Sequence, residues 1–291
     1  MLPTSPTRIL RGHNGAVYDL AWSTENSAWH SAGGDGVVAR WNEGQNDGIA
    51  VFQHSSPFYS VADWNGIVVG GNSTGELFFK WPDRSKVQHE HSAPIFALTI
   101  DDQGTLWSGD GEGLICRWEM VKGQPSLALR FKTSVGKIRH LTQHGEHILA
   151  AGGEGFFLLV DPVTGQQSSV SAHDRSCYWA IPLVEKGVIL SGGQDGQLKV
   201  HQGSSEILSM DVHQSAVYRG MIFGDKLWTC GRDHEVKAWD LKTLNTLGKL
   251  PRPHTRSVNA LAIGGLDGQH LATAGDDRSI KIWMASPNDR T

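Results

Sequence analysis

Ser31-Ala32-Gly33-Gly34-Asp35-Gly36-Val37-Val38-Ala39-Arg40-Trp41 and Ser108-Gly109-Asp110-Gly111-Glu112-Gly113-Leu114-Ile115-Cys116-Arg117-Trp118 are two copies of one pattern. Each has a hydroxyl, a turn rich in glycine and acid, an alternating apolar run and a closing tryptophan. The frame returns at Ser191-Gly192-Gly193-Gln194-Asp195-Gly196, at Thr229-Cys230-Gly231-Arg232-Asp233-His234 and at Thr273-Ala274-Gly275-Asp276-Asp277-Arg278. Weaker copies lie at Gly71-Asn72-Ser73-Thr74-Gly75 and Gly152-Gly153-Glu154-Gly155, which makes seven. Self-similarity at a fixed period decides a fold before any single element does.

Six copies are preceded by a histidine that opens an apolar run: His13, His54, His91, His173, His213 and His254. Thr133 holds that place in the fourth copy, and successive positions are 41, 37, 42, 40, 40 and 41 residues apart. Each unit contains four short runs of alternating polarity bounded by Gly, Asp and Asn, the pattern of strands. In the sixth unit these are expected over Val217–Phe223, Leu227–Cys230, Glu235–Asp240 and Thr243–Leu250. Four strands per unit at a period near forty describe a propeller blade.

With Gly12-His13 and Trp239-Asp240 as its signature dipeptides, the chain resembles the WD-repeat family of β-propellers from about Thr7 to Trp283. The last copy ends at its third strand, Ser279–Trp283, while Thr7-Arg8-Ile9-Leu10-Arg11 precedes the first histidine without a partner. In the family the N-terminal strand completes the last blade and removes an open edge. The expectation is an all-β, seven-bladed propeller of four-stranded antiparallel blades, closed in that way. A single domain over 1–291 is expected, with a core of about 7–284 and short tails at 1–6 and 285–291.

The resemblance also implies an Asp–His–Ser/Thr–Trp hydrogen-bond network within a blade. Three copies match it in full: Asp35, His13, Ser31 and Trp41; Asp233, His213, Thr229 and Trp239; Asp277, His254, Thr273 and Trp283. The third copy is expected to use Glu112 for the aspartate, and the fifth puts His201 in the tryptophan place. One extra residue before Trp81 points to a bulge or a displaced ring, and Val160 leaves the fourth copy without a network. A histidine beside aspartate and serine imitates a catalytic triad, but a device present in many blades is structural.

Composition narrows the rest. Glycine is abundant, 35 in 291 residues, and charge is sparse at 19% with a net −4. A near-neutral balance argues against phosphate-driven nucleic-acid binding. No apolar run is long enough for a membrane helix, and the N-terminus has no secretory signal pattern. Cys116, Cys177 and Cys230 have no zinc spacing and read as reduced thiols, so a cytoplasmic protein is expected. Cys177 sits where Val17 and Val217 sit and is expected to pack. His140, His144 and His147 form the one local histidine cluster, with His144 and His147 expected on a turn and no fourth ligand identifiable. The glycine turns do not read as phosphate loops. No catalytic, cofactor or metal site is expected.

The informative residues are those the repeat does not need. After the first apolar residue of each first strand come Tyr18, Tyr59, Phe96, Arg139, Tyr178, Tyr218 and Asn259. All four tyrosines of the chain occupy this one position. The resemblance implies that it lies at the channel mouth, where partners dock. Tyr and Arg combine broad apolar contact with a polar tip, which suits binding hot spots. Lys137, Arg139, Arg175 and Arg232 lean basic in the fourth to sixth copies, against Asp276 on the other side. The expected function is non-catalytic capture of a protein or peptide partner of acidic character, by a chain that is a monomer by itself. The partner-binding set is Tyr18, Tyr59, Phe96, Arg139, Tyr178, Tyr218, Asn259 and Arg232. Neither nucleic acid nor membrane is an expected partner. The alternatives are an enzyme on a propeller scaffold and a structural subunit of a larger complex.

Overall fold

A computed structural model describes residues 2–285. Of the expected tail at 285–291, everything from 286 on lies outside the described residues, as does Met1. The described residues form seven four-stranded antiparallel sheets, the blades of an all-β propeller. The first sheet is β2 (Val17–Ser23), β3 (Ala28–Gly33), β4 (Val37–Asn42) and β5 (Ile49–Gln53), and the second is β6 (Phe58–Trp64), β7 (Ile67–Asn72), β8 (Leu77–Lys80) and β9 (Ser85–Gln88). The third comprises β10 (Ile95–Ile100), β11 (Leu106–Asp110), β12 (Leu114–Val121) and β13 (Gln124–Lys132). The fourth comprises β14 (Ile138–His144), β15 (His147–Gly152), β16 (Phe156–Val160) and β17 (Gln167–Ser171). The fifth holds β18 (Cys177–Leu183), β19 (Val188–Gly193), β20 (Gln197–Gln202) and β21 (Ser205–Asp211). The sixth holds β22 (Val217–Phe223), β23 (Lys226–Gly231), β24 (Val236–Asp240) and β25 (Thr246–Lys249), close to the runs expected for it.

The seventh sheet is β26 (Val258–Gly264), β27 (His270–Gly275) and β28 (Ser279–Met284), completed by β1 (Arg8–Arg11). The N-terminal strand therefore closes the last blade, pairing Arg8 with Ile282 and Leu10 with Ile280. Leu10 is fully buried among Trp29, Ile280 and Ile282. Burial follows strand rank within the sheets. The second strands β3, β7, β11, β19 and β23 are buried at every residue, whereas the outer β21 is almost wholly exposed. Cys116, Cys177 and Cys230 are free, fully buried thiols.

The chain packs as two compact units. One holds the sixth, seventh, first and second sheets, apart from the segment Gly71–Leu77, residues 87–88 at the end of β9, and Val217. Its cores lie between neighbouring sheets: Trp228, Leu261 and Trp283 between the sixth and seventh, Leu20, Trp29 and Ile282 between the seventh and first, Val38, Phe58 and Val68 between the first and second. The other unit holds the third, fourth and fifth sheets, with Trp107, Ile138 and Leu158 in one core and Leu149, Phe157 and Cys177 in the next.

The hydrogen-bond networks have a direction that the donor inventory fixes. Indole N–H can only donate, so in the first sheet Trp41 Nε1 donates to Ser31 Oγ at 2.8 Å. The serine hydroxyl then donates to His13 Nε2 at 2.8 Å, which leaves His13 Nδ1–H to donate to Asp35 at 3.0 Å. The seventh sheet repeats this through Trp283, Thr273, His254 and Asp277, and in the sixth Trp239 donates to Thr229. In the fifth, His201 takes the tryptophan place and meets Ser191 Oγ at 3.2 Å, with His173 and Asp195 beyond. Burial, then His173, lowers the His201 pKa to about 4, so it acts there as a neutral imidazole.

The third sheet corrects one expectation. His91 Nδ1 donates to Asp110, not to Glu112. Asp110 stands two residues after Ser108 rather than four, and it also accepts the Glu112 and Leu114 amides, so the acid closes the turn from inside the strand. In the second sheet β8 ends before Trp81, whose amide bonds the Arg84 carbonyl; the ring is displaced past the strand. Val160 is fully buried in the fourth, where Thr133 Oγ1 donates to the Gly113 carbonyl.

These networks make stability acid-sensitive. Burial works to raise the carboxyl pKa of Asp35, Asp110, Asp195 and Asp277, but the adjacent imidazoles and turn amides outweigh it and hold all four below the ordinary value. A carboxyl with a depressed folded pKa contributes stability that is present above its unfolded pKa and is lost as pH falls through the folded one. Thermal midpoints should therefore drop once the pH falls below about 4, and Asp277→Asn should flatten part of that slope. A midpoint constant down to pH about 3 would contradict this account.

Candidate functional site

The tyrosine position is set apart by its backbone. In the first, third, fourth, fifth and seventh sheets, the pairing of first and second strands slips by one residue there. The register jumps between Val17 and Asp19, Ile95 and Ala97, Ile138 and His140, Cys177 and Trp179, and Val258 and Ala260. The skipped residues are Tyr18, Phe96, Arg139, Tyr178 and Asn259. A β-bulge leaves its extra residue out of the ladder and re-aims the side chain. The residue before each is fully buried, while all seven at the tyrosine position are half-buried. A Cβ on Gly34 would lie 3.2 Å from the Tyr18 ring, and one on Gly111 3.2 Å from the Phe96 ring, so both glycines give the aromatics room.

Each unit presents its own group. In the first, Tyr18 and Tyr59 meet edge to face at 5.0 Å. The Asn259 amide is engaged, donating to the Val17 carbonyl and to Asp276 Oδ1 at 2.8 Å. Burial, then Tyr59 and Asp276, pushes the Tyr18 hydroxyl pKa up, so it remains a donor at neutral pH. Beside Tyr218 in sequence, Arg219 pairs with Asp19, the neighbour of Tyr18, at 3.3 Å. Asp19 also accepts the Val61 amide. Burial raises its carboxyl, and Arg219 and that amide pull it back. Arg232 is exposed on the turn after β23.

In the second unit the cations lie on the rings. The Arg139 guanidinium sits 4.4 Å from the Tyr178 ring centre, and Lys137 Nζ lies 4.9 Å from that of Phe96. Burial, then Arg139, lowers the Lys137 pKa. Stacking on aromatic faces orders these cations. Lys137 precedes the bulge, and the sequence marked it only as one charge among several; its value comes from reaching the ring of the neighbouring repeat.

The other candidates separate from this set. His144 and His147 face each other across the ends of β14 and β15, with Gly145-Glu146 as the turn. Among the described residues, no group of three or more His, Cys, Asp or Glu could hold a metal ion. Burial pushes the Cys116 thiol up to about 12 and those of Cys177 and Cys230 further. None is poised as a nucleophile. No helix among the described residues is long and apolar enough to cross a membrane.

Residues 4–42 and 244–284 match the family described as "WD domain, G-beta repeat". The chain is 23% identical to human WD repeat-containing protein 55 over 68% of its own length and 53% of that protein's. It is 21% identical to Protein tipD of Dictyostelium discoideum, over 98% of this chain and 42% of that protein. It is 22% identical to human THO complex subunit 6, over 67% and 62% respectively. The chain thus spans about half the length of the curated relatives it matches first.

Proposed function

Because residues 4–42 and 244–284 match the WD-repeat family and the chain is similar to WD-repeat proteins, we propose that it is a propeller of that family and works by binding. It is a scaffold or recognition module for a protein or peptide partner, which it holds with the side chains that its first strands expel. The carrying observation is the bulge that recurs at one repeat position and puts aromatic or cationic residues outside the ladder. A sheet whose only task is to pack needs no such irregularity, since a regular ladder satisfies more backbone groups. The tyrosines and Phe96 offer apolar surface, and the tyrosines add polar tips. Lys137 and Arg139, resting on rings, favour an acidic partner. THO complex subunit 6 is by its name part of an assembly, and this chain is a module of that kind, with 1–291 as one recognition domain. A catalytic centre is needed once, whereas the His–Asp–hydroxyl groups recur in the first, third, fifth and seventh sheets.

The combined variant Tyr18→Ala, Tyr59→Ala and Tyr178→Ala is the test, since it removes two expelled rings and the one packed edge to face on Tyr18. Proteins captured from native extract by the wild type should be lost from the variant, with the thermal midpoint displaced by only a few degrees, about what 1 kcal/mol produces in a large domain. Capture that is unchanged sinks the proposal.

A further inference from the structure

Two clefts occupy the same place in different repeats and differ in charge. One, of ≈ 390 Å³, lies between the first and second sheets; the other, of ≈ 510 Å³, between the third and fourth. Each contains the arginine of an Arg-Trp pair, Arg40-Trp41 in the first and Arg117-Trp118 in the second. In the larger cleft that arginine has a counter-charge: Arg117 pairs with Glu119 at 2.8 Å, although its Nε, like that of Arg40, is buried without a partner. Its lining adds Asp101, Glu146 and Asp161. That cleft has more acid than base.

The smaller cleft has the opposite balance. Arg40 and Lys80 both line it, and no acidic residue does. Among the described residues neither side chain makes an ion pair or a hydrogen bond, and Arg40 Nε is buried without a partner. Behind Gly66, Asp63 accepts that residue's amide, and burial raises its carboxyl pKa. His30 stands opposite Arg40 in register, with no exposed surface and neither ring nitrogen bonded. Burial, and then Arg40, lowers its pKa to about 4, so it stays neutral. The acids near the rim are occupied or turned elsewhere. Asp83 pairs with Arg84 at 3.5 Å, and Arg84 itself lies 4.6 Å over the Trp81 ring. Glu25 packs over Gly66 at the far end.

Half-buried cations that lack counter-charges are costly, and an anion delivered between them removes that cost. The remaining wall is apolar. Trp81, Val51 and Val68 line it, and exposed Ile49 belongs to β5, the open outer edge of its sheet. An edge strand beside an apolar wall suits an extended chain, because main-chain groups find partners along the edge while alternate side chains enter the cleft. We propose that this cleft is a second docking site, one that takes an extended acidic peptide with a carboxylate at Arg40 and Lys80 and an apolar side chain against Ile49 and Trp81. It is separate from the expelled first-strand side chains, so a partner can hold the protein at both places.

Fluorescence anisotropy with a labelled peptide of alternating Leu and Glu tests this, with its Leu/Gln counterpart and inorganic phosphate as controls. The wild type should bind the Glu peptide and not the Gln peptide. Arg40→Ala with Lys80→Ala should weaken binding by about tenfold or more. Lys80→Glu, which places a carboxylate beside Arg40 while keeping a long side chain, should abolish it without lowering the melting temperature. Arg117→Ala and the triple tyrosine variant should bind as the wild type does, which separates this site from the one proposed above. The proposal fails if the wild type does not bind the Glu peptide, or binds the Gln peptide equally. It also fails if the Arg40 and Lys80 variants bind like the wild type, or if phosphate alone displaces the peptide at equal concentration, since the cleft would then take any anion.

Discussion

His91→Ala should destabilise the protein by about 3–5 kcal/mol, the largest effect expected of any single residue in the His–Asp networks. The His91 side chain is fully buried and the Asp110 side chain only 1% exposed. Removing the imidazole strands a carboxylate in the interior and deprives the Ser108 hydroxyl of its acceptor. Asp110 keeps two backbone amides, which holds the loss near the lower end of that range. The same change at His13 should cost less, because the Asp35 side chain is 12% exposed and water can reach it. A double variant, His91→Ala with Asp110→Ala, should be less damaging than the sum of the two single changes, since no charge is then left without a partner. Denaturant unfolding measures all three. A loss below about 1 kcal/mol for His91→Ala would mean that the network is ornament.

Deleting residues 1–11 should have a still larger effect, comparable with the whole stability of a domain, about 5–15 kcal/mol. The deletion removes Leu10 from its core, worth about 2–5 kcal/mol as a Leu→Ala change alone. It also removes the Arg8–Glu43 ion pair, which ties β1 to the first sheet. Above all it uncovers β28, whose Ser279-Ile280-Lys281-Ile282-Trp283-Met284 is an apolar edge ready to pair with another chain. The truncated protein should melt much earlier and self-associate, and a synthetic peptide of residues 4–11 should reverse both. A truncated chain that stays monomeric and melts like the full one would refute the closure argument.

Both predictions rest on features of unequal legibility. Closure by β1 could be read from the sequence because it is arithmetic: a seventh unit one strand short and a strand to spare at the start. The identity of the third network's acid could not, because counting from Ser108 selects Glu112, while the backbone turns back early enough for Asp110 to reach His91. The tyrosine position was legible as a pattern, yet its bulge was not, since register is a property of two strands. The contrast between Arg40 and Arg117 lay further out of sight. Both precede a tryptophan in matching runs, and what distinguishes them is Glu119 two residues on in one case and Lys80 from the next repeat in the other.

The three cysteines, finally, give the molecule timers of its own. Cys116 belongs to the third sheet, Cys177 to the fifth and Cys230 to the sixth, each fully buried with its thiol pushed far from ionisation. Such sulfurs are silent to alkylating reagents until the blade around them opens. Their modification rates would then clock three blades separately, within one unaltered chain, and show whether these blades open together or one at a time.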